Sequence, residues 1–232
     1  MAVITTALVL LVSYLLGAIP FGLIIVRLKT GKDIRKVESG RTGGTNAGRA
    51  AGFWAGALTA VLDFFKSMVS VLLVRFLAGN QLILQSPWLE VLAPVLAVLG
   101  HNYSIFLLER TDSGRLKFGG GAGGAPTTGG AMGLWVPSVF FILPVGLMVL
   151  FGVGYASLAT ISVAVTATLV FAYRAWIGAN PWQYIFYGIF TGFLLIWALR
   201  PNLKRLSQGT ERMVGWRARY RRSHPPDNAI HS

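Results

Sequence analysis

The sequence contains no cysteine, which excludes a disulfide framework, a thiol nucleophile and a zinc–thiolate site. Its three histidines are scattered, and that argues against a metal cluster. Acids are scarce as well: 8 Asp plus Glu stand against 21 Lys plus Arg in 232 residues, a formal charge of +13. That total alone would suit a nucleic-acid binder. The placement does not, because the cations gather in short segments between apolar runs, as headgroup attraction and insertion bias require. The remainder is apolar: 54% hydrophobic residues and a mean hydropathy of +0.60 exceed what one soluble core of this size can hide. The chain reads as an all-α integral membrane protein whose partner is the lipid bilayer and not nucleic acid.

A crossing helix needs about 20 mostly apolar residues. Five stretches meet that length: 2–26, 52–78, 88–108, 155–174 and 182–199. The first has no charged leader and is too long for a signal-peptide core, so it reads as a span. Between 122 and 153 a Gly-rich entry, Pro137, Pro144, Gly152 and Gly154 break any single straight helix. Two shorter helices are expected there, a short or partly re-entrant one at 122–136 and a second at 138–153, giving seven transmembrane helices. Of the 21 Lys and Arg, 18 fall in 27–50, 109–121 and 200–222. Positive-inside bias makes all three segments cytoplasmic, and seven crossings allow this with the amino terminus outside and the carboxyl terminus cytoplasmic. Residues 1–222 form a single polytopic domain without an internal repeat, and 223–232 is a flexible polar tail.

Chemistry concentrates in those basic segments. In 32–52, Ser39, Thr45 and Asn46 offer neutral hydrogen bonds and Arg41 and Arg49 offer cationic ones. The glycines, Gly43 among them, let backbone N–H groups approach a ligand. This mixture suits phosphate, the more so just before a helix opening expected near residue 50; a flexible cationic loop accounts for the composition equally well. His101 ends an apolar run, either as a functional ionisable group or as a histidine bonded to backbone. The glycines at 119–124 resemble a phosphate-cradling turn but match no nucleotide fingerprint. Asp63 and Lys66 share a helix face as a structural pair or as part of a substrate pathway. In the tail, Asn202 to Glu211 holds the residues of interest beyond plain membrane anchoring.

Taken in order, SYLLGAIPFG (13–22), DIR (33–35), SGRTGGTNAGR (39–49), DFFK (63–66), GHNYSIFL (100–107), GGAGGAPTTGG (120–130), YASLATI (155–161) and NLKRLSQGTE (202–211) resemble the bacterial acyl-phosphate-dependent glycerol-3-phosphate acyltransferases, the PlsY family. Each motif is modest, but the ordered set is specific and covers nearly the whole chain. The resemblance implies a seven-span enzyme of the bacterial cytoplasmic membrane with its active site facing the cytoplasm. It would acylate the sn-1 hydroxyl of glycerol 3-phosphate from acyl phosphate and make lysophosphatidic acid for phospholipid biosynthesis, with no cofactor and no metal. It further implies that Ser39, Thr45, Asn46 and Arg49 bind phosphate and orient the reacting groups, with His101, Ser157 and Asn202 completing the catalytic pocket. Arg41, Gly43, Lys117, Gly120, Gly121, Gly123, Thr127, Lys204, Arg205 and Glu211 are the accompanying substrate- and phosphate-binding positions. No oligomeric state is implied; a monomer is one state consistent with it.

Four positions differ from the family pattern. Arg41 stands where the family carries Asn in S-G-N-x-G-A-T-N, with Gly44 for its Ala; Ala122 replaces the Lys of G-G-K-G; and Leu199 replaces a His three residues before Asn202. One expectation is compensation, with the cation missing at 122 supplied by Arg41 or by Lys117. Others are a different phosphorylated acceptor or acyl donor, or a fold kept without its chemistry. From another functional class, a transporter or channel for anionic metabolites would also use Asp63, Lys66 and a broken Gly-rich span.

Overall fold

The chain is described by a computed structural model covering residues 2–111, 113–215 and 217; the expected polar tail at 223–232 lies outside these residues. The first apolar stretch forms α1 (Ala2–Ala18) and α2 (Phe21–Thr30), broken where Pro20 cannot donate its missing N–H. A short helix, α3 (Gly44–Ala51), leads through Gly52, at φ +88°, into the long α4 (Phe53–Gly79). The opening expected near residue 50 therefore lies earlier, at Gly44, and places Thr45, Asn46 and Arg49 on the helix itself.

α5 (Pro87–Asn102) stops short of the expected 88–108 span. Residues Ser104–Arg110 instead form β1, paired antiparallel with β2 (Leu116–Gly119), so the all-α expectation needs correcting by one hairpin. The reason lies in the returning glycines. Gly121 N–H donates to the His101 carbonyl at 2.8 Å, satisfying an end of α5, and a Cβ at Gly120 would sit 2.3 Å from the Asn102 carbonyl oxygen. Only a chain without side chains there can fold back this closely.

The broken region resolves into α6 (Gly124–Leu134), a 3-10 turn at Val136–Ser138, α7 (Val139–Met148) and a π-helical turn at Val149–Val153. α8 (Ala156–Trp176) and α9 (Tyr184–Ser207) complete the bundle. α9 passes through Pro201, so Asn202, Lys204 and Arg205 ride on its last turns rather than on an exit loop. Among the described residues five helical stretches are long and apolar enough to cross a membrane: Val3–Thr30, Phe53–Gly79, Val136–Val153, Ala156–Trp176 and Tyr184–Ser207. α5, at 16 residues, and α6, at 11, are shorter.

α6 is the pivot of the core. It packs on α4, α5 and α8, and Val71, Val91, Ala131, Ile142, Val163, Phe171 and Tyr187 close around it. Without a hydrophobic drive between helices in lipid, close approach of small residues holds such contacts. A Cβ on Gly129 would lie 1.9 Å from the Phe64 carbonyl oxygen of α4, and one on Gly100 of α5 would lie 2.2 Å from the Tyr14 carbonyl oxygen of α1. The outward faces, Phe140 and Phe193 for example, remain exposed, as lipid contact requires. Buried hydroxyls turn back on their own helices: Ser13 donates to Val9 O, Thr59 to Ala55 O and Thr191 to Tyr187 O.

The inner end of α6 would leave bare carbonyls in an apolar setting. Arg75 of α4 caps it, donating to Gly133 O at 2.8 Å and Leu134 O at 2.9 Å. Glu90 of α5 takes the charge at 2.7 Å, and the Tyr184 hydroxyl donates to the same carboxylate at 2.7 Å. The clamp ties four helices at the end opposite the basic segments.

Replacing Arg75 with Leu leaves these carbonyls and Glu90 unmatched, and the thermal midpoint in detergent is expected to fall by the equivalent of about 1–3 kcal/mol. Gly129→Ala is expected to lower the same midpoint by a similar amount, about 1–3 kcal/mol, through overpacking against α4. Gly79→Ala, where nothing lies within 4 Å of an added Cβ, is the control expected to leave it unchanged.

Candidate active site

The bundle's connectivity brings the three basic segments to one end. α2, α5 and α9 finish there, and α3, α4, α6 and α8 begin there. A cavity of about 320 Å³ opens among them, within the range of small-molecule sites. Three helix N-termini face into it: Gly43 to Asn46 at α3, Gly123 to Ala125 at α6, and Ala156 with Ser157 at α8. None of the three is capped by a side-chain hydrogen bond. Each therefore presents backbone N–H donors and the positive end of its dipole to whatever fills the space.

The side chains add charge. Arg41, Arg49, Arg205 and Arg212 line the cavity together with Glu38, Asp63 and Glu211. The acids are engaged already: Glu38 pairs with Arg212, Asp63 with Lys66 at 2.9 Å, and Glu211 accepts from Ser157 Oγ at 2.7 Å and from Asn202 Nδ2 at 3.2 Å. Among the described residues Arg41, Arg49 and Arg205 form no ion pair. The site thus holds cations in excess, and an anionic ligand complements it.

Local order comes from Asn46. Its amide nitrogen donates to the carbonyls of Ile34, Val37 and Arg41 at 3.3, 3.0 and 2.9 Å, stapling the loop before α3 onto the helix. Its Oδ1 has no hydrogen-bond partner among the described residues. The DIR motif anchors the same loop outward. Arg35 grips Asp33 at 2.5 Å and also pairs with Glu109 of β1, and this guanidinium holds the Asp33 carboxyl down at about 2, so the latch stays ionised far below neutral pH.

Arg41 joins what the sequence separates. Its Nη1 donates to Gly121 O at 3.0 Å, and its Nη2 donates to Asn202 Oδ1 at 3.3 Å and also to Ala198 O. The Gly121 and Ala198 carbonyls adjoin Ala122 and Leu199, two further positions that depart from the family pattern, and both of these residues line the cavity. Burial draws the Arg41 guanidinium below the ordinary arginine value, from so high a start that it stays a cation.

Of the residues singled out from sequence, Ser39, Arg41, Gly43, Thr45, Asn46, Arg49, His101, Gly123, Ser157, Asn202, Arg205 and Glu211 line this one cavity. Five do not. Lys117 stands exposed on β2 opposite Glu109 and is no substitute for a cation at 122. Lys204 is exposed on α9. Gly120 accepts from Thr42 N–H at 3.2 Å, and Gly121 packs on the His101 ring, where a Cβ would lie 1.9 Å from Nε2; their work is close packing. Thr127 is buried inside α6, its carbonyl accepting from the Tyr187 hydroxyl at 2.7 Å. Conversely, sequence reasoning left out Glu38, Thr160 and Arg212. It weighed Asp63 only beside Lys66, although Asp63 is among the cavity-lining residues. A buried acid in an apolar span was the available signal; for Glu38 and Arg212 no local signal distinguishes them from other loop charges.

Comparison with known proteins identifies relatives of this chain. The sequence model of the family described as Glycerol-3-phosphate acyltransferase matches residues 7–209. A glycerol-3-phosphate acyltransferase of Thermus thermophilus is 36% identical over 212 residues, 91% of this chain and 96% of that one. Glycerol-3-phosphate acyltransferase 2 of Moorella thermoacetica is 35% identical over 211 residues, covering 91% and 98%. Two crystal structures of PlsY (YgiH), described as an integral membrane glycerol 3-phosphate acyltransferase, superpose over 91% of this chain and 96% of theirs. The glycerol 3-phosphate form has a TM-score of 0.74 at 32% identity, and the lysophosphatidic acid form 0.72 at 30%. By residues, motif order and fold alike, this chain belongs to the glycerol-3-phosphate acyltransferase family.

Proposed function

We propose that this protein is a membrane glycerol-3-phosphate acyltransferase that takes its acyl group from acyl phosphate and produces lysophosphatidic acid and inorganic phosphate. The observation that carries this reading is the convergence of three uncapped helix N-termini and three unpaired arginines on one cavity. Both substrates are phosphorylated, and each phosphate needs such donors. The relatives named above are glycerol-3-phosphate acyltransferases, and the comparison structures carry the acceptor and the product in their descriptions.

In this reading the sn-1 hydroxyl attacks the acyl carbonyl carbon, the bond from that carbon to the phosphate oxygen breaks, and the hydroxyl proton departs on inorganic phosphate. No covalent enzyme intermediate forms. Catalysis then rests on positioning and on donors aimed at developing negative charge. Ser39, Thr45 and Arg49 bind phosphate at the start of α3, while Asn46 keeps the loop in place. Ser157, Glu211 and Asn202 form the opposite wall. Arg41 supplies the cation that Ala122 cannot, because its guanidinium already reaches the Gly121 carbonyl.

The reading includes seven crossings, with α1 and α2 counted as one and α5 and α6 as the short ones. The basic segments lie at the cavity end, which by positive-inside bias faces the cytoplasm of a bacterial cell. The amino terminus is then outside.

Incubating the purified protein with glycerol 3-phosphate and acyl phosphate, acyl coenzyme A or acyl carrier protein in turn is expected to yield lysophosphatidic acid from acyl phosphate alone; product from either other donor, or from none, refutes the assignment. Arg41→Asn is expected to lower kcat/KM by about 30-fold or more, the equivalent of about 2 kcal/mol for a lost charge-assisted contact. Adding Ala122→Lys to that variant should recover most of the loss, and an unchanged rate in the single variant rules Arg41 out.

A further inference from the structure

A buried cluster runs from the cavity wall, at Asp63 and His101, back to Lys66 behind it. Lys66 of α4 is almost wholly buried, and its ammonium has three acceptors around it: Asp63 Oδ1 at 2.9 Å, His101 Nδ1 at 2.9 Å and the Ile19 carbonyl oxygen at 3.2 Å. An ammonium carries three N–H donors and no acceptor, so the count closes. His101 Nδ1 also lies near Asp63 Oδ1, but at 3.4 Å, too long to compete with the shorter contact to lysine. A proton on Nδ1 would confront the ammonium at 2.9 Å, donor against donor. A neutral lysine would instead leave the buried Asp63 carboxylate without its counter-charge in an apolar bundle.

We propose that Lys66 is a positioning residue that fixes the His101 tautomer, so that its single ring hydrogen lies on Nε2 and is offered to the ligand. The opposite edge of the ring packs beside the entry to α6. Nε2 lies against the Gly121 backbone, where even an added Cβ would come within 1.9 Å, and His101 lines the cavity beside Ala122 and Gly123 at the opening of α6. A ligand oxygen held at that N-terminus meets the Nε2–H. His101 therefore acts as a hydrogen-bond donor to negative charge. It cannot serve as the general base for the acceptor hydroxyl, because its one free lone pair, on Nδ1, points away from the cavity into the ammonium. Asp63 sets the charge of the lysine rather than orienting the imidazole directly, unlike the carboxylate of a hydrolytic triad. The catalytic consequence rests on the acyl-transfer reading; the tautomer itself does not.

The test exploits the small number of histidines, His101, His224 and His231. In a full-length chain carrying His224→Gln and His231→Gln, nitrogen-15 correlation spectra of the remaining imidazole in detergent near neutral pH should show an unprotonated Nδ1 and a protonated Nε2. An imidazolium, or a proton on Nδ1, overturns the proposal. In Lys66→Met the spectrum should shift towards the Nδ1–H form, now free to face Asp63. The kcat for acyl transfer should then fall on the order of 10²-fold, the usual cost of losing one preorganised donor, with little change in KM. An unaltered imidazole spectrum in that variant overturns the role of Lys66, whatever happens to the rate. The spectra are recorded without substrate, so an inactive protein would count against the acyl-transfer reading and leave the tautomer standing.

Discussion

Inside a bilayer no water stands by to satisfy a backbone N–H or C=O, so every helix end placed below the surface must find a partner within the protein or in a ligand. α6 illustrates both solutions. Its carbonyl end is closed by the Arg75 guanidinium, balanced by Glu90 and Tyr184. Its amide end is left open beside two more open amide ends, those of α3 and α8. One pole of this short helix is saturated with side chains and the other is left open to the cavity, and the cations around the cavity reinforce that asymmetry.

Three of the positions that depart from the family pattern, Arg41, Ala122 and Leu199, gain meaning from their proximity. In sequence they are 81 and 77 residues apart, yet one guanidinium touches the carbonyls immediately before both Ala122 and Leu199. A single arginine can fill the volume and supply part of the charge that two basic side chains would otherwise bring. Its planar fork bridges acceptors in two directions, which a lysine ammonium on a flexible stem does less well. Under the proposed compensation, loss and gain of charge would be one local rearrangement rather than independent defects.

Much of this was legible in the sequence, for identifiable reasons. Span positions follow from length and apolarity, and α4 and α8 fall within two residues of their expected limits. The broken region was visible because Pro and Gly act locally. The hairpin was not: SIFLL continues the apolar run of α5, and nothing in its period separates a strand from a helix. What ends α5 is the tight return of Gly120 and Gly121 to its last turn, a contact made by residues nearly twenty positions later. Lys117 was misread for the same reason, since its place depends on strand register. Asp63 and Lys66 were recognised as a pair, but that His101 of another helix makes the third member could be read only in space.

Depth is the feature with the widest reach. Asp63, in the cavity wall, lies ten residues beyond Phe53 along α4, about 15 Å below that helix's first turn at the usual rise. If acyl transfer runs in this cavity as proposed, chemistry at such a level would let the polar reactant come down from the aqueous phase while the fatty tail stayed among neighbouring tails throughout. The newborn amphiphile would then need no carrier to reach the leaflet, since it would already lie there when its ester bond closed.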